Sequence, residues 1–217
     1  MNFLQFKHQF QNRSFILSRD LTASAQDPQA ARNQLSRWQK KGLLIGLRKG
    51  MYILNAQDRK VNLDRYALAN MLYAPSYVSL EAALNFYGLI PERVTDVTSV
   101  STRKTMQFKN DLGNFTYQHI HPKAFRGFKK AGEGADSFFL AEPEKAVVDF
   151  LYLNLHRFDG NTQQILEESY RFQNIEDLSA KRLLELAKLF ETKKLMRVVR
   201  DLARWIKEAQ SLPAGRE

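Results

Sequence analysis

The sequence predicts an α+β protein in two parts: a small N-terminal domain of residues 1–58, and an α+β domain of residues 59–217 that ends in helices. Three observations lead to this prediction. Within the first 58 residues, apolar residues at helical spacing give way to two short apolar runs. In the middle of the chain, segments rich in Val, Thr and aromatic residues, which are typical of strands, alternate with helical segments. Two amphipathic helical segments close the chain.

Positive charge is concentrated at the two ends of the chain. Residues 1–60 carry eleven Lys and Arg against three Asp and Glu, residues 61–180 carry twelve against fifteen, and residues 181–217 carry ten against five. A basic end on a nearly neutral body is typical of a protein that binds a polyanion. A merely solvated basic surface would have the same composition.

Several classes of protein are not expected from the composition. The chain has no cysteine, which excludes disulfides, thiolate zinc sites and cysteine nucleophiles and fits a reducing cytoplasm. The N-terminus lacks the pattern of a signal peptide, and no apolar run is long enough to span a membrane. We therefore expect a cytoplasmic protein with no membrane partner.

Residues 27–42 predict a capped amphipathic helix. Asp27 suits the N-cap, Pro28 the first helical position and Gly42 the position just after the helix end. The apolar face carries Ala31, Leu35 and Trp38. The opposite face has no acid after Asp27, and its side chains are those that bind base edges and phosphates. This helix is the third one predicted in the chain and is labelled α3, so we call its polar surface the α3 polar face; it consists of Gln29, Arg32, Asn33, Ser36, Arg37 and Lys40.

A β-hairpin is predicted directly after this helix. The runs LLIGL and MYIL are joined around Gly50, which places Arg48 and Lys49 at a cationic tip, called here the basic tip. Upstream, residues 3–10 predict a first helix through three regularly spaced phenylalanines, and residues 18–25 a short second one. Helix, short helix, capped helix and basic hairpin, in this order, predict a winged helix-turn-helix.

This domain is expected to bind double-stranded DNA. Its third helix would enter the major groove, with Gln29, Arg32 and Asn33 contacting bases. Contacts with the backbone are expected from Ser36, Arg37, Lys40, Arg48 and Lys49. One winged domain reads one half-site, so an inverted repeat would need two copies of the protein. The alternative is a protein-interaction module whose polar face is only hydrated.

The middle of the chain predicts further helices and strands. Helices are predicted in LDRYALANMLY, ended by Pro75, and in SLEAALNFYG, from a Ser79 cap to Gly88. Strands are predicted in VTDVTSVST, NFTYQHIH, FRGF and SFFLA, with a turn at residues 110–113. Glu142-Pro143-Glu144 should open a helix over AVVDFLYLNL, because acids suit the positive end of a helix.

Four segments in register carry a resemblance to a known family. They are LRKGMYIL, YVSLEAALNFYGLIPERVTDVTSVSTRK, LGNFTYQHI and AEPEKAVVDFLYL, within residues 15–155. They resemble the landmarks of AbiEi-family antitoxins, the partners of AbiEii-type nucleotidyltransferase toxins. The resemblance implies an N-terminal domain that binds inverted repeats in its own promoter and represses the operon, and a C-terminal domain that counteracts the toxin. It assigns no individual antitoxin residue.

Three features of the middle region are candidates for a catalytic or metal site. His119 and His121 have a spacing that could hold a metal but lack an obvious third ligand, which favours two exposed histidines at a strand end. Asp149 lies in an apolar run and needs a partner, for which a salt bridge or hydrogen bond is the simpler explanation. The stretch FKKAGEGAD lacks the phosphate-binding pattern and predicts a flexible basic loop. No enzyme, metal or cofactor is expected, and the rival to the antitoxin is a stand-alone regulator with a ligand- or partner-sensing domain.

The last helix is predicted to carry two stripes. Leu195, Val198, Val199, Leu202, Ile206 and Ala209, with Trp205 at the border, form an apolar stripe that should pack on the core. Opposite lies a basic stripe, formed by Lys193, Arg197, Arg200, Arg204 and Lys207. Its meaning is open between a solvated surface, a site for an acidic partner such as a toxin, and extra phosphate contacts. An anionic membrane is a further alternative, which the docked apolar stripe disfavours.

Overall fold

The computed structural model describes residues 2–23, 25–62 and 64–211, and shows a mixed α+β chain with two sheets. The N-terminal part contains α1 (Phe3–Phe10), β1 (Ile16–Leu17), α2 (Ser18–Thr22), α3 (Pro28–Lys40), β2 (Leu44–Arg48) and β3 (Met51–Leu54). Its strands form an antiparallel sheet in the order β1-β3-β2. The predicted second helix ends at Thr22 instead of residue 25, and Ser24 lies outside the described residues.

Helix α3 forms for the local reasons that the sequence predicts. Asp27 accepts hydrogen bonds from the backbone N–H groups of Gln29 (2.8 Å) and Ala30 (3.1 Å), which satisfies two free donors of the first turn. Gly42 follows the helix with a φ of +69°, a conformation that glycine adopts without strain. Leu35 and Trp38 are buried against α1, where the Trp38 ring lies 4.6 Å from that of Phe6.

The larger part is built on a six-stranded mixed sheet in the order β6-β7-β5-β4-β9-β8. Its strands are β4 (Ser76–Val78), β5 (Val97–Ser101), β6 (Met106–Asn110), β7 (Gly113–His119), β8 (Phe128–Ala131) and β9 (Phe138–Ala141). The pairs β4–β9 and β5–β7 are parallel, and the other neighbours are antiparallel.

Helices cover both faces of this sheet. On one face lies α4 (Arg65–Leu72), where the Ala69 carbonyl accepts a hydrogen bond from the Tyr117 hydroxyl (2.7 Å). On the other face lie α5 (Leu80–Phe86) and α6 (Pro143–Leu153), and Tyr77 of β4 donates to Asp149 of α6 (2.9 Å).

The chain closes with α7 (Thr162–Gln164), which continues into a π-helical turn, followed by α8 (Ala180–Lys188) and α9 (Lys193–Ser211). The predicted apolar stripe of α9 is confirmed: Leu195, Val198, Val199, Leu202 and Ile206 are all buried in the larger core. None of the helices among the described residues is both long and apolar enough to cross a membrane.

Some local predictions were wrong. Ser79 stands at the N-cap of α5, but its hydroxyl donates to Asp149 (2.8 Å) and makes no cap. The segment predicted as a flexible basic loop, residues 128–136, begins with strand β8, which pairs with β9. The strand predicted over residues 125–128 starts only at Phe128, because Gly127 just before it has a φ of +79°.

The β2–β3 hairpin belongs to two hydrophobic cores. Leu44 and Leu54 lie in the smaller core of the N-terminal part. Leu47, Met51 and Ile53 lie in the larger core that fills the six-stranded sheet and its helices. Successive side chains of a strand point to opposite faces, so strand β3 holds the two cores together through its two faces.

Candidate nucleic-acid interface

All six side chains of the α3 polar face are exposed. Three of them form a hydrogen-bonded chain: the Gln29 amide donates to Asn33 (3.1 Å), and the Arg32 guanidinium donates to the Gln29 oxygen (3.1 and 3.2 Å). Within the part of the chain that the structure describes, none of the three cations on this face forms an ion pair with an acid. The face therefore presents donors and positive charge without an internal acidic partner.

The basic tip is held at its base by backbone contacts. Gly50 turns the chain with a φ of +75°, and its carbonyl accepts a hydrogen bond from the backbone N–H of Ser18 (2.9 Å) at the start of α2. A Cβ at position 50 would meet the Ser18 hydroxyl at 3.0 Å, so glycine is favoured there for space as well. Arg48 and Lys49 are both exposed, as predicted.

The hairpin also touches the larger part of the protein next to the tip. The Asn110 side chain, at the end of β6, donates to the carbonyl of Leu47 (3.1 Å). Burial raises the pKa of Tyr117 on β7, and the positive charge of the nearby Arg48 opposes that rise. The contact of Asn110 with the hairpin was not predicted, because Asn110 stands out in the sequence only as a turn residue.

The predicted basic stripe lies on α9 and is called here the α9 basic stripe; it is exposed and lies far from the hairpin. Of its five side chains, Arg197 donates to the Phe158 carbonyl (3.0 Å) and Arg204 lies 3.8 Å from Asp201. The hairpin contacts the β6 edge of the sheet, whereas α9 packs on α8, which lies beside Gly127 at the β8 edge. These edges are five strand spacings apart, roughly 24 Å. The two basic surfaces are therefore separate.

Asp149 has the partners that its apolar surroundings require. It binds Lys145 one helical turn earlier, and it accepts hydrogen bonds from Tyr77 and Ser79; all four side chains are 0% exposed. Burial raises the pKa of Asp149 and lowers that of Lys145. The cluster therefore joins β4 and the start of α5 to α6 inside the core.

The other candidates for chemistry have structural contacts. His119 and His121 are exposed: Nδ1 of His119 lies 3.0 Å from the Arg103 carbonyl, and Nδ1 of His121 accepts from a backbone N–H. Glu142 binds Arg182 of α8 (2.8 and 2.9 Å), and Glu144 accepts from the backbone of Ser179 (2.9 Å). No cluster of three or more metal-ligating side chains occurs within residues 2–23, 25–62 and 64–211.

Comparisons of this chain with protein-family models and with curated proteins find no match.

Proposed function

We propose that this protein is a sequence-specific DNA-binding transcription regulator and that its N-terminal domain is a winged helix-turn-helix. The observation that carries the proposal is the exposed α3 polar face, whose donors and cations lack an acidic partner within the described residues. The order α1-β1-α2-α3-β2-β3 and the basic tip at the end of the hairpin support the same proposal.

In this proposal α3 lies in the major groove. Arg32 pairs with guanine, and Gln29 and Asn33 pair with adenine, after giving up the hydrogen bond that joins them. The remaining cations and Ser36 bind phosphates and supply much of the affinity. An inverted repeat would be occupied by two copies of the protein.

The test is a fluorescence anisotropy titration of the full chain with the DNA upstream of its own gene and with a scrambled duplex, each at several salt concentrations. We expect a preference for the upstream DNA that persists at physiological salt. Equal and steeply salt-dependent binding to both duplexes would refute sequence-specific regulation and leave a basic protein that adheres to polyanions.

We further propose, on the resemblance to AbiEi-family antitoxins, that the protein represses its own operon and counteracts an AbiEii-like nucleotidyltransferase toxin. The α9 basic stripe is the candidate surface for an acidic face of that partner, since it is exposed and remote from the hairpin. The rival is a stand-alone regulator without a toxin. A nucleotidyltransferase gene directly downstream supports the antitoxin, and any other gene there favours the rival.

Charge-reversal variants test whether the α9 basic stripe and the basic tip serve different partners. The double variant Arg200→Glu/Arg204→Glu should keep repression of a promoter reporter and lose rescue from the toxin. The variant Arg48→Glu/Lys49→Glu should lose repression and keep rescue. If both variants lose repression, the α9 basic stripe belongs to the DNA interface instead. The purified protein is expected to retain no stoichiometric metal and to turn over no nucleotide.

A further inference from the structure

Strand β2 contains an extra residue directly before the basic tip. Its pairing with β3 steps from Gly46–Tyr52 to Arg48–Met51, so Leu47 has no partner across the ladder. A bulge of this kind bends the strand and changes the direction of the following side chains. The residues redirected here are Arg48 and Lys49, the basic tip.

The bulged residue is held by the larger part of the protein. The Leu47 side chain is buried in the larger core, and its carbonyl accepts a hydrogen bond from the Asn110 amide (3.1 Å). Asn110 is itself fixed, since its side-chain oxygen accepts from the backbone N–H of Leu112 (2.9 Å) in the β6–β7 turn. One side chain thus joins the turn of the large sheet to the bulge.

We infer that Asn110 is a positioning residue for DNA binding: it fixes the bulge at Leu47, so that Arg48 and Lys49 are held toward the DNA backbone. This inference rests on the DNA binding proposed above. It predicts that the α+β domain contributes to DNA affinity without touching DNA at Asn110.

The expected effect follows from counterion release. Each phosphate contact contributes about 0.9 to the magnitude of the slope of log affinity against log salt concentration. One contact is therefore worth about five-fold in affinity at 0.15 M salt relative to 1 M salt. If Asn110→Ala releases one such contact, the affinity should fall about five-fold and the magnitude of the salt slope should decrease by about 0.9. Asn114→Ala is the matched control, because Asn114 is also half-buried and donates to Asp96 (3.1 Å) away from the hairpin.

A mutant cycle tests whether Asn110 acts through the tip. Anisotropy titrations with the upstream duplex are made for the full chain, Asn110→Ala, Arg48→Ala/Lys49→Ala, and the combination of both. We expect Asn110→Ala to weaken the wild type but to have almost no further effect once the tip is removed, because coupled positions are not additive. If alanine at 110 unfolds the protein, Asn110→Ser keeps an acceptor for the turn while being too short to bind Leu47.

Two results would overturn the inference: additive losses in the cycle, or an Asn110 variant that binds like Asn114→Ala. If the proposed function itself is wrong, the wild type shows no preference for the upstream duplex, and the inference about Asn110 is then wrong as well.

Discussion

Removing either partner of the buried Lys145–Asp149 pair should lower the free energy of unfolding, by a different amount for each partner. Asp149 is the shared acceptor for Lys145, Tyr77 and Ser79, and none of these side chains has any exposed surface. Asp149→Ala therefore removes the partners of one ammonium and two hydroxyl groups in a single step. Lys145→Met removes only the ammonium, and the carboxyl keeps both hydroxyl donors.

The two variants should differ clearly in free energy of unfolding. Breaking a buried ion pair by removing one partner costs about 3–5 kcal/mol, and each hydroxyl left unsatisfied adds about 1 kcal/mol or more. We expect Asp149→Ala to lose about 5 kcal/mol, a large part of the stability of a single domain. For Lys145→Met the loss should be about 3 kcal/mol, because one partner of the ion pair is removed but the carboxyl keeps both hydroxyl donors.

Urea unfolding, followed by circular dichroism and tryptophan fluorescence, measures these losses. The matched control is Asp159→Ala: Asp159 also pairs with a lysine, Lys194 (2.6 Å), but on the surface, so the midpoint should hardly move. Equal losses for Asp149→Ala and Lys145→Met, or a loss in Asp149→Ala no larger than in the control, would refute the reasoning.

Three further predictions concern single side chains. Asn33→Ala should relax discrimination at one base pair by about 1–3 kcal/mol, whereas Lys49→Ala should weaken binding to all duplexes alike and flatten the salt dependence. Identical behaviour of the two variants in anisotropy titrations would contradict the proposed base and phosphate contacts. Leu202→Ala, at a fully buried position of α9, should cost about 3 kcal/mol in urea unfolding, and a loss below about 1 kcal/mol would show that its site is not tightly packed. Burial and the nearby carboxylates of Glu142 and Glu144 raise the pKa of Tyr87 from 10.0 to about 12, so its contribution to stability is complete below pH 10 and is lost as the pH rises through 12. Tyr87→Phe should flatten this alkaline decline in melting temperature, and an unchanged decline would contradict it.

Elements whose causes are local could be predicted from the sequence. Asp27, Pro28 and Gly42 define both ends of α3 through contacts within a few residues, and the structure shows the predicted cap. The hairpin is equally local, because glycine at position 50 can adopt the positive φ that its turn requires. Exposure of the α3 polar face and of the basic tip then follows from helical and strand periodicity.

Elements that depend on distant partners could not be predicted in the same way. Strand β1 has two residues and exists only through its pairing with β3. The polar composition of β8 and its neighbouring glycines resembles a loop, and β9 makes it a strand. Ser79 has the chemistry of a helix cap, but the stronger demand of the buried Asp149 determines its hydrogen bond. Asn110 was missed for the same reason, since its partner Leu47 is 63 residues away in the chain.

Because the β2–β3 hairpin packs into both hydrophobic cores, the N-terminal part of this protein cannot be exchanged freely for that of another protein. Each side chain of β3 is packed into one core or the other, with Met51 and Ile53 on one face and Tyr52 and Leu54 on the other. A chimera that exchanges the first 58 residues for those of a known DNA-binding domain would bring a foreign strand into the larger core. Such grafts should therefore succeed only when the incoming hairpin keeps the residues that fill that core, whereas the exposed side chains of the α3 polar face can be exchanged without disturbing either core.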